Sequence, residues 1–209
     1  MITFVVSFSL GMSESWLIAN WIEITGAVIS LIYLYFSIKQ RIWLWPFGIL
    51  SALFYILVYF QSKLYADMGL QAYYVVISLY GWWTWSKNSG SDNQKKGLKI
   101  SHVSSFQAFW IVLVCIILTG FFYWILAEMT DSDVPFWDAL TTAGGVVATW
   151  MLTRKIIEHW VLWIILDIIS MVLYIYKGLY PTTILFVVYS ALAFLGYRTW
   201  KKLLDESRA

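Results

Sequence analysis

Runs of apolar residues broken by short polar clusters organise this chain. Seven stretches, 20–38, 43–60, 68–86, 107–126, 136–153, 157–176 and 181–199, are each close to the length a helix needs to cross a bilayer, about 20 mostly apolar residues. The breaks are Lys39-Gln40-Arg41, the Gln61–Asp67 stretch, residues 87–105, the acidic Glu128–Asp133 loop, Arg154-Lys155 and Lys177-Gly178. Residues 87–105, rich in Ser, Asn, Gly and Lys, form the one substantial linker and divide the chain in two. No sustained alternation of apolar and polar residues points to a barrel. The pattern predicts an all-α integral membrane protein with seven transmembrane helices.

Composition agrees. Of 209 residues, 61% are hydrophobic and 12% charged, with a mean hydropathy of +0.72. Soluble domains carry about 45–50% apolar and about 25% charged residues, so too little polar surface remains here to cover a water-soluble globule. Lipid is the expected solvent, and 14 Trp and 14 Tyr supply rings for interfacial belts and for a ligand path. The single cysteine, Cys115, lies in an apolar run and reads as a small buried hydrophobe.

The net charge of +2 says less than its distribution. With the N-terminus outside, twelve basic residues (Lys39, Arg41, Lys87, Lys95, Lys96, Lys99, Arg154, Lys155, Arg198, Lys201, Lys202 and Arg208) fall inside, and only Lys63 and Lys177 fall outside. That bias satisfies the positive-inside rule and predicts N-out, C-in. A miscounted span would have scrambled it.

Displaced by 115 residues, 20–87 aligns without a gap on 135–202. Trp45 matches Trp160, Tyr59 matches Tyr174, and Leu64-Tyr65 matches Leu179-Tyr180. Further on, Tyr74, Gly81, Thr84 and Trp85 match Tyr189, Gly196, Thr199 and Trp200. The expected organisation is an N-terminal segment (1–19), a first three-helix repeat (20–87), a loop and linker helix (88–134), a second repeat (135–202) and a cytoplasmic tail (203–209). An odd linker helix returns the second repeat to the orientation of the first. Such 3+1+3 parallel repeats are a transporter architecture, with the solute site between repeats near the midplane.

The sixth stretch carries most of the candidate chemistry. Helical spacing places His159, Trp160, Trp163, Asp167, Ser170 and Tyr174 on one broad face. Asp167 lies near mid-bilayer, where an acid costs roughly 2.5–3.5 kcal/mol on insertion scales. It is expected to face a cavity or a partner. Trp160 and Trp163 would stack on a flat cationic ring, with Asp167 as counter-charge; interfacial anchoring is the other reading of Trp160. The third stretch offers Gln71, Tyr74, Ser78 and Trp82 on one face, where Gln71 either contacts solute or glues helices together. Thr141, Gly145 and Thr149 form a small-residue stripe suited to close packing. No phosphate loop, metal spacing or nucleophile elbow is present, so no catalytic residues, metal, cofactor or nucleic-acid partner are expected.

Trp45-Pro46-Phe47-Gly48, Leu64-Tyr65-Ala66 with Gln71, Tyr80-Gly81-Trp82-Trp83-Thr84-Trp85, and Glu158-x-Trp160-x-x-Trp163 followed by Gly178-Leu179-Tyr180 together resemble the PnuC family of vitamin transporters over about residues 20–202. The resemblance implies a SWEET-like pair of three-helix bundles in a homotrimer. It also implies facilitated diffusion of an unphosphorylated vitamin across the bacterial inner membrane, trapped afterwards by a cytoplasmic kinase. It adds Glu158 and Trp45 to the candidate substrate-binding residues Trp163, Trp160, Asp167, His159, Gln71, Tyr74, Ser78 and Tyr174. Family members carrying nicotinamide riboside have Asn where this chain has His159 and Asp167, so the resemblance favours the thiamine-type PnuT branch, with nicotinamide riboside as the alternative.

Two other classes compete. A membrane-embedded enzyme would need a polar cluster near an interface, for which Glu158-His159 is the candidate. A sensor or scaffold would need more surface than these short loops supply. A retinal protein is excluded, because 182–197 contains no Lys.

Overall fold

The computed structural model describes residues 14–61, 65–87, 98–130, 132–176 and 180–207. These contain seven helices: α1 (Glu14–Ile38), α2 (Leu44–Gln61), α3 (Tyr65–Lys87), α4 (Ser105–Met129), α5 (Pro135–Thr153), α6 (His159–Tyr176) and α7 (Tyr180–Glu206). No strand occurs among the described residues. Residues 1–13 of the expected N-terminal segment, Lys95 and Lys96 of the linker, and Lys63 and Lys177 lie outside them.

The helices fall into two compact units divided between Leu98 and Lys99. In the first, α1 packs on α2 and α2 on α3; in the second, α4 packs on α5, α5 on α6 and α6 on α7. By length and apolarity, α4 and α6 are each able to cross a membrane unaided. The side chains are distributed inside out. Val76, Ile116, Val172 and Ile184 are exposed, whereas Ser37, Ser51, Thr149, His159, Asp167 and Ser170 are buried. Water would favour the reverse, and hydrocarbon favours this.

The same local geometry recurs 115 residues apart. Helices α2 and α6 begin and end at that displacement, α1 and α5 end at it, and α3 and α7 begin at it. Gln40 (φ 50°) and Lys155 (φ 53°) are left-handed residues just past α1 and α5. The Gln40 N–H donates to the Ser37 carbonyl (3.1 Å) and Arg41 N–H to that of Phe36 (2.9 Å). Lys155 N–H likewise donates to the Leu152 carbonyl (3.0 Å) and Ile156 N–H to that of Met151 (3.1 Å). Both are Schellman closures, which satisfy carbonyls that a helix end would otherwise orphan.

Each turn aims an indole at the third helix of its triplet. Trp45 meets Trp85 edge-on at 5.3 Å, and Trp160 meets Trp200 edge-on at 5.8 Å. The rings fit because Gly81 and Gly196 carry no side chain: a Cβ on Gly196 would stand 2.6 Å from Trp160, and one on Gly81 closer still to Trp45.

Two helix ends depart from the hydropathy pattern. α1 starts at Glu14 rather than near 20, and α7 runs to Glu206 rather than 199. Polar residues such as Arg198, Lys201 and Lys202 keep helical hydrogen bonding beyond the apolar stretch. At about 1.5 Å per residue, the 27 residues of α7 exceed a hydrocarbon core of about 30 Å.

Candidate functional site

In the second unit, α6 buries one face: His159, Trp160, Leu166, Asp167 and Ser170. Trp163 and Tyr174, one to two turns from Asp167 along the same face, are half-buried. Asp167 is 6% exposed and lies within electrostatic reach of Tyr189 on α7. Tyr174 meets Phe186 at 5.1 Å with the rings tilted by 36°, and Phe186 meets Tyr189 edge-on at 5.9 Å. Tyr189 on α7 is thus the ring that interacts with this carboxylate, while Trp163 lies a turn before it and Tyr174 two turns after it on the same face of α6. Phe186 had no signal in the sequence beyond its spacing three residues before Tyr189.

At the start of α6, His159 is fully buried. Its Nδ1 lies 2.7 Å from the Ile156 carbonyl. A carbonyl can only accept, so Nδ1 carries the hydrogen and Nε2 of the neutral ring is a bare acceptor; among the described residues no group partners that buried Nε2. The ring packs on Trp160 (4.6 Å) and Trp200 (4.8 Å). Trp160, expected to stack on a solute or to anchor at an interface, is buried in this conformation. At 2% exposure it is enclosed by His159, Trp200 and the bare backbone of Gly196, with no face open.

In the first unit, Trp45 is fully buried by the equivalent packing. Gln71 and Tyr74 are half-buried on α3, and Tyr74 leans on Tyr73 at 5.6 Å. Ser78 is buried, with its Oγ 3.2 Å from where a Cβ would stand on Gly48 and the ring of Tyr33 at 3.1 Å from the same point. Tyr33, unremarked in the sequence, fills the space that Gly48 leaves. At the displacement of 115 these three positions become Ala148, Trp163 and Ala193. The large ring has moved from the first helix of the triplet to the second. Asp167 and His159 likewise replace Ala52 and Leu44, so the ionisable groups of this cluster belong to the second unit alone.

Glu158 is engaged elsewhere. Its Oε1 lies 2.7 Å from His102 Nδ1, and its Oε2 accepts from the Val103 N–H at 3.0 Å. Cys115 is half-buried and packs on the cluster of Val147, Met151 and Ile156.

Comparison with known proteins connects these features. The family model described as nicotinamide mononucleotide transporter matches residues 20–202. The nicotinamide riboside transporter PnuC of Escherichia coli (strain K12) is 26% identical over 205 residues, covering 87% of this chain and 85% of that protein. The riboflavin/roseoflavin transporter RibM of Streptomyces davaonensis is 28% identical over 186 residues, covering 86% of this chain and 84% of that protein. The crystal structure of the vitamin B3 transporter PnuC superposes with a TM-score of 0.72 over 98% of this chain and 88% of that one; at 23% identity, the likeness is one of fold.

Proposed function

The chain belongs to the PnuC family of membrane vitamin transporters, and on that premise we propose that it carries unphosphorylated nicotinamide riboside across a bacterial inner membrane by facilitated diffusion. Family membership makes it a transporter rather than an enzyme. The relatives weigh against the thiamine reading favoured by the sequence: the similar proteins are named for nicotinamide riboside and riboflavin, and none of those described for thiamine.

The observation that carries the proposal is the buried face of α6. Trp163 and Asp167 sit one turn apart, with Tyr174 beyond them. Nicotinamide riboside bears a fixed positive charge on an aromatic ring. A desolvated indole–cation contact contributes about 2 kcal/mol, and a carboxylate compensates the ring's charge. Gln71, Tyr74 and Ser78 stay candidate hydrogen-bonding groups within the first unit. Trp45, Trp160 and His159 would hold the two turns rather than touch solute. In this reading all seven helices span the bilayer, with the N-terminus outside, the C-terminus in the cytoplasm and three copies in the assembly. The basic residues toward the C-terminal ends of α3 and α7 and in the sequence just past α1, α3, α5 and α7 support that orientation. An inside-negative potential then favours entry of the cation by about 2.3 kcal/mol per 100 mV.

Thiamine remains as a second reading because of Asp167. Its thiazolium and aminopyrimidine suit a carboxylate, whereas a ribose has no obvious need of one. Titration calorimetry on purified protein with nicotinamide riboside, its phosphate, thiamine and riboflavin decides between them. Saturable heat with the riboside and none with its phosphate supports the proposal. Heat with thiamine alone transfers it to the second reading.

A further inference from the structure

We propose that Glu158 is a positioning residue: it fastens the chain just ahead of α4 (Ser101–Val103) to the α5–α6 turn, so that the turn, this segment and α4 move together during transport. The two carboxylate oxygens are divided between His102 Nδ1 (2.7 Å) and the Val103 N–H (3.0 Å). Beside them the backbones pair once in parallel, Ser101 with Ile156. Ser101 N–H donates to the Lys155 carbonyl (3.1 Å), and Ile157 N–H donates to that of Ser101 (3.0 Å). The Val103 side chain packs into the Val147, Met151 and Ile156 cluster. Ser104 and Gln107 then close a reciprocal capping box that starts α4.

The fastening reaches the site through one residue. Ile156 pairs with Ser101, and its carbonyl holds His159 Nδ1 at 2.7 Å; His159 in turn packs on Trp160 and Trp200. Among the described residues, the first unit has the same Schellman turn without the clasp. The position equivalent to Glu158 is Trp43, which is 60% exposed, and that equivalent to His159 is Leu44. The second unit's turn is therefore pinned by residues that the repeat itself does not require. Pinning a turn without touching solute changes the rate at which the transporter cycles and leaves its affinity alone. This role rests on the transport reading above.

The test compares Glu158→Ala, Glu158→Gln and His102→Ala in the full chain by amide hydrogen exchange and by nicotinamide riboside uptake into proteoliposomes. Glu158→Ala should speed exchange at Val103 by at least about tenfold, the scale of one lost hydrogen bond to a charged acceptor. It should lower the maximal uptake rate with half-saturation unchanged. Glu158→Gln keeps an acceptor for Val103 and a donor for His102, so it should restore both readouts. His102→Ala should fall between, and it carries the test with Glu158→Gln if Glu158→Ala does not fold. Unchanged exchange at Val103 in both Glu158→Ala and His102→Ala overturns the proposal. So does a raised half-saturation in Glu158→Gln with His102→Ala silent, which would put the carboxylate on the solute. Exchange needs no solute, so an inactive wild type would refute the substrate and leave the clasp still measurable.

Discussion

Trp160 rests on Gly196 so closely that a single added methyl would stand 2.6 Å from the indole ring. Trp45 and Gly81 repeat the relationship in the other unit. An indole can shift only by opening the turn that carries it, so each third helix is keyed to its turn. Overpacking of this kind costs about 1–3 kcal/mol. Gly196→Ala and Gly81→Ala should each lower the melting temperature of the detergent-purified protein. Gly69 and Gly120 meet nothing within 4 Å, so alanine there should hold or raise it, by up to about 1 kcal/mol of helix propensity. Four equal shifts would contradict this packing.

Gln40 closes α1 with φ 50°, a conformation that costs a non-glycine residue roughly 1–2 kcal/mol. Gln40→Gly should relieve that strain, less the larger chain entropy that glycine loses, for a net gain below about 1 kcal/mol. Gln40→Val should be destabilising, because a β-branched side chain fits that region worst. Thermal unfolding of the two variants beside wild type measures both signs.

Lys155 adds a pH dependence at the equivalent turn. Burial pushes its ammonium down from 10.5 to about 8. Below about pH 8 the folded protein carries the poorly solvated charge, and its cost is fully present. Between 8 and 10.5 the unfolded chain still binds a proton that the folded chain has released, so stability rises with pH across that window. The melting temperature should climb there in wild type and climb less in Lys155→Met. Parallel curves would show that Lys155 is solvated.

Asp167→Asn should separate binding from stability. Removing an ionisable group buried at 6% exposure relieves a cost of desolvation, so the variant should melt no lower than wild type. If Asp167 faces the cationic ring, affinity for the riboside should fall by about tenfold or more, the value of a charged contact. Equal affinity in calorimetry would assign Asp167 to helix packing.

Much of this molecule is written in its polar breaks. Lys39-Gln40-Arg41 and Arg154-Lys155 mark the ends of α1 and α5 because helices at a membrane surface end where charge returns to water. The displacement of 115 is legible because Trp45, Gly81 and Trp85 must recur together for the packing to recur. What the sequence hides is long-range. Trp160 reads as a receptor for a ring or an interfacial anchor, and nothing local shows that Gly196, 36 residues on, receives its ring. Glu158 enters as a candidate substrate contact, and nothing local shows that His102 and Val103, in a loop more than 50 residues earlier, take both its oxygens. Hydropathy marks where lipid would be, so it also misses the polar helical turns at Glu14 and up to Glu206.

Purified full-length protein in proteoliposomes, given labelled nicotinamide riboside under an imposed inside-negative potential, should show saturable uptake. That uptake should rise with the potential and exclude the riboside's phosphate. Uptake no greater than in protein-free vesicles, at any potential, would contradict it.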